Sequence, residues 1–551
     1  MAQKRILIVG GVAGGASCAA RSRRMDEDAE IIMFDRGSFV SFANCGLPYY
    51  VGDVIQEEKK LLVANTELFK DRFNIEVRLE NEVLSIDRDQ KTITVKDLQQ
   101  DKTYQEAYNA LVLAPGASPV RPPIPGLDLP GIFALRTIPD SRRIRSWISE
   151  HNVQRAIVVG GGFIGLEMTE NLVHRDINVT LVEQLPQVLP PVDPEMVTPV
   201  HHKLKAQGVN LALSDGVKEF TQAEDEIIVS TQSGQQYHAD LVILGIGVRP
   251  ENKLAQDAGL ELGQRGGIRV NAKMQTSDPS IWAVGDAVEV QDYITKEWTL
   301  IPLAGPANRQ GRIAADTIAG REVEFRGVQG TSVCGIFGLT VASTGASEKT
   351  LKRANIPYEK VYLHPGHHVG YFPGAKPIDL KLLFSPEDGR ILGAQAVGEE
   401  GTEKRIDVIA MAVQQHSTVY DLEEAELCYA PQFGAAKDPV NFAGMIAANH
   451  LRGDAPIIQW DQVDLSQGVL LDVRDVDEFE RGHVEGTVNI PLNQLRERMA
   501  ELPQEKPIHV YCQVGQRAYY ATRALRLNGY DAANLTGGYQ TYLNFAGNGF
   551  L

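Results

Sequence analysis

The chain has 551 residues, of which 43% are hydrophobic and 23% are charged, and its formal net charge is −17. This length predicts about three to five domains of ordinary size, and the balance of residue types is that of a globular protein. The negative charge argues against non-specific nucleic-acid binding, because contacts with phosphates need a basic surface. We therefore expect no nucleic-acid partner.

The sequence also argues against a membrane anchor or a secreted protein. No apolar run reaches the roughly 18 residues that a membrane-spanning helix needs. The first apolar stretch is short and rich in glycine, unlike a signal peptide. The five cysteines stand far apart, which indicates neither a disulfide framework nor a zinc site. We expect a cytoplasmic protein with no bound metal.

A nucleotide-binding pattern opens the chain. A buried-strand pattern at residues 6–9 leads into a glycine-rich turn that includes Gly10 and Gly15. Such a turn permits the N–H groups of a helix N-terminus to approach a pyrophosphate. Asp35 ends the next strand pattern, where a carboxylate is placed to accept from a ribose hydroxyl. Val12 stands where the usual second glycine would be, so a purely structural turn stays open as an alternative.

Two later segments end in turns of the same kind. Residues 110–117 form a strand pattern that runs into Gly116, and residues 281–287 form another that runs into Gly285 and Asp286. Asp286 is placed to hold a ribityl hydroxyl or the pyrophosphate region of a flavin. Its alternative role is that of a helix N-cap.

A second, more complete nucleotide-binding pattern lies in the middle of the chain. The strand pattern at residues 156–159 leads into a turn with glycines at all three fingerprint positions, Gly160, Gly162 and Gly165. Glu183 ends the next strand pattern, where a carboxylate binds the adenosine ribose and repels a 2′-phosphate, which favours NADH over NADPH. Two dinucleotide sites indicate one bound FAD, one exchanging nicotinamide and hydride transfer between them.

A single cysteine follows the first nucleotide-binding unit, in the segment SFANCGLPYY at residues 41–50. Here the chain resembles the pyridine nucleotide-disulfide oxidoreductases, and most closely their branch of coenzyme A-disulfide and NADH-dependent persulfide reductases. Tyr50 stands where dithiol members carry a second cysteine. Cys45 therefore has no nearby sulfur partner and must form either a mixed disulfide with an external sulfur or a sulfenic acid. A helix N-terminus and the flavin edge are expected to favour its thiolate.

The resemblance covers nearly all of residues 1–445. Further segments carry it: residues 301–308, 370–375, 429–431 and 436–441. It implies a homodimer in which Tyr371 and Tyr429 of one subunit reach the Cys45 site of the other, with simple packing as the alternative role for both tyrosines. It further implies that Asn44 and Ala304 contact FAD. The residues implied to contact coenzyme A are Arg21, Arg24 and Ser41; for the arginines, a solvated basic helix face is the alternative.

The end of the chain resembles the rhodanese domain over its whole length. The matching segments are residues 470–474, 478–491 and 508–511, and the last of them delivers Cys512. A short loop from Cys512 to Arg517 then leads into a helix. Backbone N–H groups that converge on one sulfur hold an anionic persulfide, and Arg517 adds positive charge. The alternative is an inactive regulatory module.

We expect an α/β protein with two Rossmann-like domains, an α+β dimerisation domain and an α/β rhodanese domain. The expected boundaries are residues 1–115 and 250–325 for the FAD-binding domain, 116–249 for the NADH-binding domain, 326–445 for the dimerisation domain, 446–460 for a linker and 461–551 for the rhodanese domain. The expected substrate is a small thiol adduct, namely a persulfide, polysulfide or disulfide of coenzyme A. An NADH oxidase or peroxidase that uses a sulfenic acid, and a non-catalytic sulfur carrier or redox sensor, are the alternatives.

Overall fold

A computed structural model describes residues 3–224, 226–464 and 466–547. Its helices are α1 (Ala13–Met25), α2 (Leu47–Val51), α3 (Thr66–Phe73), α4 (Ile138–Glu150), α5 (Phe163–Val173), α6 (Pro194–Ala206), α7 (Lys253–Asp257), α8 (Ala304–Ile318), α9 (Glu348–Arg353), α10 (Thr402–Gln414), α11 (Val419–Glu423), α12 (Pro439–Leu451), α13 (Val476–Arg481), α14 (Leu495–Arg498), α15 (Gln516–Leu527) and α16 (Gly538–Ala546). Within the described residues, none of these helices is both long enough and apolar enough to cross a bilayer.

The strands alternate with the helices along much of the chain. They are β1 (Arg5–Val9), β2 (Glu30–Asp35), β3 (Glu76–Leu79), β4 (Asn81–Asp87), β5 (Thr92–Asp97), β6 (Lys102–Ala107), β7 (Ala110–Leu113), β8 (Ala117–Pro119), β9 (Ile132–Ala134), β10 (Arg155–Val159), β11 (Asn178–Val182), β12 (Asn210–Ala212), β13 (Val217–Ala223), β14 (Glu226–Thr231), β15 (Gln236–Ala239), β16 (Leu241–Leu244), β17 (Val248–Pro250), β18 (Ile268–Arg269), β19 (Ile281–Ala283), β20 (Val288–Gln291), β21 (Trp298–Thr299), β22 (Ser332–Ile336), β23 (Leu339–Gly345), β24 (Glu359–Leu363), β25 (Ile378–Phe384), β26 (Ile391–Gly398), β27 (Ile457–Ile458), β28 (Val469–Asp472), β29 (Val488–Asn489), β30 (Ile508–Tyr511) and β31 (Ala532–Leu535).

The first of two compact units comprises residues up to 188 and residues 208–328. It contains a parallel sheet of order β19-β7-β1-β2-β3. Its central strands are runs of buried β-branched and aliphatic residues, the pattern of a sheet covered on both faces. The order reverses at β1, so a crevice forms at the carboxyl ends of β1 and β7.

A second parallel sheet in the same unit has the order β12-β11-β10-β16-β9. Its order reverses at β10, which places another crevice at the carboxyl ends of β10 and β16. Each parallel sheet is accompanied by a three-stranded antiparallel sheet, β4-β5-β6 in one case and β13-β14-β15 in the other. The predicted pair of Rossmann-like folds is confirmed.

The second unit comprises residues 189–207 and the described residues from 329 onwards. One of its sheets has the order β22-β23-β26-β25-β24 and is antiparallel throughout. The other has the order β27-β31-β30-β28-β29 and is parallel throughout. This agrees with the predicted α+β domain followed by a small α/β domain.

The segment predicted as a linker, residues 446–460, is largely ordered in regular structure. Helix α12 continues through its first part because Ala447 and Ala448 are buried and favour helix. Strand β27 then pairs with β31. Trp460 is buried and its indole N–H donates to the carbonyl of Gly538 at 2.9 Å. The irregular parts of the predicted linker are therefore residues 452–456, where glycine and proline occur, and residues 459–460.

A buried ion cluster joins α6, α9 and β25 within the second unit. Three carboxylates, those of Asp193, Glu195 and Glu348, lie within 4.8 Å of one another. The Nζ atom of Lys381 lies among them, 2.8 Å from an oxygen of Asp193. Burial alone lowers the pKa of Lys381, but the surrounding carboxylates outweigh burial and raise that pKa well above its ordinary value. Lys381 thus occupies the position that a cation would take.

Candidate active sites

The first glycine turn lies at the crevice of the first parallel sheet. Gly10 has a φ of +96°, and a Cβ atom there would lie 2.1 Å from the carbonyl oxygen of Ala114, which follows β7. Helix α1 then begins with Val12 as N-cap and no side-chain capping bond. Its first N–H groups therefore lack a side-chain acceptor and suit an anion. Asp35 accepts from the N–H of Gly11 at 2.9 Å, which fixes its carboxylate beside the turn.

The second glycine turn repeats this geometry at the second crevice. Gly160 has a φ of +104°, and an added Cβ would lie 2.5 Å from the carbonyl oxygen of Gly245. Helix α5 starts with Gly162 as N-cap, again without a side-chain bond. Glu183 is buried and accepts from the N–H of Gly161 at 2.7 Å. The predicted carboxylates Asp35 and Glu183 thus have equivalent positions, each beside the glycine turn of its own parallel sheet.

Asp286 lies in a short 3-10 turn, Gly285–Ala287, whose N-cap is Val284. The alternative N-cap role for Asp286 is therefore not seen. Burial raises the pKa of Asp286, and Arg136 opposes that shift only in part. Nowhere in the described ranges is a hydrogen bond made to its carboxylate. A half-buried acceptor of this kind fits a ligand that brings its own hydroxyl groups.

The remaining predicted flavin contacts lie on two turns and one helix start. Gly116 has a φ of +75°, and a Cβ there would lie 3.4 Å from the guanidinium of Arg136. Helix α8 begins at Ala304 and has no side-chain cap. The N–H of Gly285 donates to the side-chain oxygen of Gln310 on α8 at 2.7 Å. These contacts hold the turn of Asp286 against α8, and the helix start remains available to a cofactor.

Cys45 is exposed and lies in a 3-10 turn, Asn44–Gly46, that leads into α2. None of the five cysteines, all of which lie in the described ranges, forms a disulfide, so Cys45 has no disulfide partner within the chain. Tyr50, at the position of the missing second thiol, is buried and packs with its ring 4.3 Å from the guanidinium of Arg145. The structure therefore agrees with a cysteine that reacts with external sulfur.

The electrostatics at Cys45 differ from the expectation that the chain itself favours the thiolate. Although the residue as a whole is exposed, neighbouring atoms partly desolvate its sulfur and so raise the pKa of the Cys45 thiol; the carboxylates of Glu167 and Asp286 raise it further. The helix that follows is only five residues long, so it offers little opposing dipole. Glu167 was not among the predicted residues. Burial raises its own pKa to about 7. Its effect on the pKa of Cys45 makes it a neighbour of the reactive thiol.

The three residues predicted to contact coenzyme A differ in availability. Arg21 forms an ion pair of 2.7 Å with Asp316 of α8, and both side chains are largely buried. Arg24 is exposed in the last turn of α1. Ser41 has a φ of +48°, and its N–H donates to the carbonyl of Gly11 at 2.8 Å. The ion pair ties α1 to α8, a structural role that the sequence did not indicate for Arg21.

Tyr371 and Tyr429 come together in the second unit. Their hydroxyl oxygens lie 2.7 Å apart, and their side chains are 74% and 46% exposed. The hydrogen bond between the two hydroxyl groups raises the pKa of Tyr371. The Tyr371 phenol is therefore neutral and able to donate a proton near pH 7. Neither ring is therefore buried in the interior of this chain.

Cys512 lies in the loop between β30 and α15. Its side chain is 1% exposed, and its Sγ accepts from the N–H of Gly515 at 3.2 Å. Gly515 has a φ of +92° and is the N-cap of α15. The carbonyl of Cys512 accepts from the N–H of Tyr539 at 2.8 Å, so α16 supports the loop from behind. The helix begins at Gln516, inside the segment that was predicted to be loop.

Arg517 is not the free positive charge that the sequence suggested. Its two terminal nitrogens donate to the two carboxylate oxygens of Glu478 at 2.6 and 2.7 Å. Asp475 lies 3.5 Å from the same guanidinium. Because Glu478 and Asp475 lie at the start of α13, this pairing connects two helices that meet beside the loop. Sequence reasoning missed Glu478, although a glutamate three residues after a helix-capping aspartate is a signal for it.

The sequence pattern of the pyridine nucleotide-disulphide oxidoreductases matches residues 4–311, more than half of the chain. The chain belongs to this family. The dimerisation domain of the pyridine nucleotide-disulphide oxidoreductases matches residues 331–438, and the rhodanese-like domain matches residues 458–544. Members of the family use FAD and a pyridine nucleotide. The expectation of such an oxidoreductase joined to a rhodanese-like domain is confirmed.

The chain is similar over most of its length to three other proteins. A coenzyme A disulfide reductase of Staphylococcus epidermidis is 35% identical and covers 80% of this chain and 99% of its own length. The reduced Bacillus anthracis CoADR-RHD structure has 49% identity and a TM-score of 0.97, covering 99% of this chain and 98% of its own. The structure of an NAD-dependent persulfide reductase from A. fulgidus has 36% identity and a TM-score of 0.91. The match covers 98% of this chain and 100% of that protein.

Proposed function

We propose that this chain uses NADH to reduce FAD and passes the electrons to Cys45, which cleaves an S–S bond in a persulfide, polysulfide or disulfide of coenzyme A. The observation that carries this proposal is the exposed thiol of Cys45, which has no cysteine partner in the chain. A thiol of this kind takes its sulfur partner from outside. Relatives named coenzyme A disulfide reductase and persulfide reductase support that chemistry.

Two sets of residues are proposed to hold the dinucleotides. The FAD-binding set is Gly10, Gly15, Asp35, Asn44, Gly116, Gly285, Asp286 and Ala304. The NADH-binding set is Gly160, Gly162, Gly165 and Glu183. When bound, FAD accepts a hydride from NADH and supplies two electrons to the sulfur chemistry. The uncapped helix starts of α1 and α5 support both sets, since each suits a pyrophosphate.

The proposed reaction begins when the Cys45 thiolate attacks one sulfur of the substrate. With a persulfide of coenzyme A, attack at the carbon-bound sulfur forms a mixed disulfide with Cys45 and releases hydrosulfide. With a disulfide, the leaving group is a thiolate of coenzyme A. Two electrons and one proton then cleave the mixed disulfide, which restores the Cys45 thiolate and releases coenzyme A as a thiol. Arg24, Arg21 and Ser41 are proposed to bind the nucleotide end of the substrate.

A homodimer is proposed to complete this site. The second unit exposes several apolar side chains, a feature typical of an interface. They are Val333, Tyr371, Phe372, Met411, Tyr429 and Phe433. In the proposed dimer, Tyr371 and Tyr429 of the partner subunit protonate the sulfur that leaves Cys45. The absence of a disulfide among the five cysteines, all within the described residues, fits a reducing compartment, so a cytoplasmic location is proposed as well.

Cys512 is proposed to carry a sulfane sulfur as a persulfide and to exchange it with the same class of substrate. Its contact with the N–H of Gly515 supports an anionic sulfur at this position. An NADH oxidase or peroxidase is not favoured, because a sulfurtransferase module has no part in reducing oxygen or peroxide. A non-catalytic carrier is not favoured either, because the second glycine turn is complete.

The test is steady-state NADH oxidation with coenzyme A disulfide and coenzyme A persulfide, with hydrosulfide measured in parallel. Cys45→Ser should abolish both activities, and Cys512→Ser should abolish sulfur transfer while sparing reduction of the soluble disulfide. Cys428→Ser serves as the control, since Cys428 is another exposed free thiol. Sulfur-dependent turnover that persists in Cys45→Ser would remove Cys45 from the reaction. NADH consumption that needs only oxygen would favour the oxidase instead.

A further inference from the structure

The positive charge of Arg517, beside the Cys512 loop, is neutralised by Glu478. This pairing affects which sulfur donors can react with Cys512. We infer that Glu478 is a specificity residue that directs Cys512 towards organic persulfides and against dianionic donors, of which thiosulfate is the simplest. The inference rests on the proposed function of Cys512 as a sulfur carrier, and it names the class of donor for that site.

Arg517 forms a close, bidentate ion pair with Glu478. Both of its terminal nitrogens donate to Glu478, at 2.6 and 2.7 Å, and the two side chains are 30% and 21% exposed. Parallel hydrogen bonds between a guanidinium and a carboxylate are among the strongest polar contacts in proteins. The charge of Cys512 also acts on Arg517, so the pair lies within electrostatic reach of the sulfur. An incoming anion therefore meets an ion pair here.

Glu478 is held in this position by its own helix. It lies three residues after Asp475, the N-cap of α13, and one of its oxygens accepts from the Asp475 N–H at 3.1 Å. This reciprocal cap fixes the carboxylate before any ligand arrives. A substrate anion would have to displace an acceptor that is already bound to both Arg517 and the helix start.

The second guanidinium that reaches the loop is also neutralised. Arg474 lies 3.3 Å from the side-chain oxygen of Gln513, the residue after Cys512. Asp472 binds it through both carboxylate oxygens, and both side chains are almost fully buried. With Asp475 added, two guanidinium groups face three carboxylates around this loop. The surroundings of the sulfur therefore oppose a second negative charge.

The two donor classes differ in the group that must leave. With an organic persulfide, the Cys512 thiolate attacks the terminal sulfur, the S–S bond of the donor breaks, and an organic thiolate leaves. With thiosulfate, the same attack releases sulfite, which carries two negative charges. Both transfers leave Cys512 as a persulfide, and neither needs an oxidant or a reductant. Only the second requires a free cation near the leaving group.

The loop and the two helices next to it in the ion pairing, α13 and α15, expose apolar or aromatic side chains that suit a donor with an uncharged organic group. Val514 of the loop is exposed, as are Val476 at the start of α13 and Tyr520 in α15. Apolar side chains around a reactive group favour an apolar or neutral portion of the ligand. Charge and surface character thus point to the same donor class.

The experiment compares kcat/KM for thiosulfate with kcat/KM for 2-hydroxyethyl persulfide, using the full chain with its flavin. The wild type should prefer the persulfide, and Glu478→Gln should raise kcat/KM for thiosulfate about tenfold while changing that for the persulfide little. Glutamine keeps an oxygen for the Asp475 N–H, so the helix start is preserved. Asp477→Asn is the matched control, since it removes the same charge from an exposed site on the same helix.

Different outcomes would contradict the role of Glu478 and the sulfurtransferase function of Cys512. Equal use of both donors by the wild type, or an unchanged ratio in Glu478→Gln, would overturn the role of Glu478 while leaving Cys512 a sulfur carrier. If neither donor adds sulfur to Cys512, as judged by the intact mass of the wild type against Cys512→Ser, the proposed sulfurtransferase function itself fails, and the inference fails with it.

Discussion

The hydroxyl oxygens of Tyr371 and Tyr429 lie 2.7 Å apart on an exposed surface of the second unit. In such a pair one phenol donates to the other, and the second keeps its proton for a further acceptor. The shared hydrogen bond raises the pKa of Tyr371, so this phenol stays protonated well above neutral pH. A donor in this state suits a thiolate that departs from a neighbouring sulfur.

Tyr429→Phe should therefore lower kcat for reduction of coenzyme A disulfide by about 100-fold, the ordinary effect of losing a positioned proton donor. Binding of NADH should be unchanged, because the second glycine turn is untouched. Tyr420→Phe provides the control, since Tyr420 is a half-exposed tyrosine that packs against Arg452. The measurement is steady-state kinetics, and a kcat equal to that of the wild type would leave the pair without a part in the reaction.

The second prediction concerns the pH at which Cys45 reacts. Burial and the carboxylates of Glu167 and Asp286 raise the pKa of this thiol above the ordinary value of 9.0. Glu167 has a pKa of about 7, so it is ionised wherever the thiol titrates. Glu167→Gln removes that negative charge and should move the iodoacetamide alkylation profile of Cys45 to lower pH. Glu150→Gln, at the exposed end of α4, should not move it, and an unmoved profile in Glu167→Gln would exclude the coupling.

The third prediction concerns the support behind Cys512. A Cβ atom at Gly538 would lie 2.3 Å from the carbonyl oxygen of Cys512 and 2.8 Å from the nitrogen of Gly515. Gly538→Ala should therefore displace the loop and lower the rate of sulfur transfer at least about tenfold, while reduction of soluble disulfides continues. Gly529→Ala is the matched control, because Gly529 also has a positive φ but has open space around it. Both variants carry the backbone strain of about 1–2 kcal/mol, so only the contact differs. Equal transfer rates in the two variants would contradict this role.

The features that sequence reasoning predicted best are local ones. The strands, the glycine turns and the carboxylates Asp35 and Glu183 follow from patterns within about 30 residues, where spacing alone fixes geometry. Cys45 and Cys512 were found because each stands in a short motif of distinctive composition. Glycine and proline in residues 452–456 favoured the predicted linker, but they give no sign that α12, with its buried alanines, continues to Leu451.

The features that escaped prediction depend on contacts between distant segments. Glu167 lies in a helix of the second nucleotide-binding fold, yet its charge acts on Cys45 of the first. Glu478 of one helix pairs with Arg517 of another, and this ion pair neutralises the positive charge that was expected beside the loop. Lys381 is the clearest case. In the strand sequence IDLKLLF a lysine ordinarily faces solvent, and only three carboxylates from two distant helices explain its burial.

The last prediction tests that buried lysine. Lys381→Met removes the positive charge of this side chain. The carboxylates of Asp193, Glu195 and Glu348 then remain close together and buried. Breaking a buried ion pair from one side costs about 3–5 kcal/mol, because the remaining charges lose their compensation. The midpoint of thermal unfolding of the second unit should fall by several degrees. Lys506→Met, at an exposed site in the same unit, should leave the midpoint unchanged.

The pH dependence of this effect has a defined sign. Burial by itself raises the pKa of Glu348, but Lys381 and Lys360 outweigh burial and hold that pKa below its ordinary value of 4.5. A depressed carboxyl pKa contributes stability above pH 4.5, and this stability is lost as the pH falls further. Lys381→Met removes most of this contribution, so its deficit against the wild type should be largest near neutral pH and shrink below pH 4.5. Scanning calorimetry at several pH values measures this, and a deficit that stays the same across this pH range would show that Lys381 acts through packing and not through its charge.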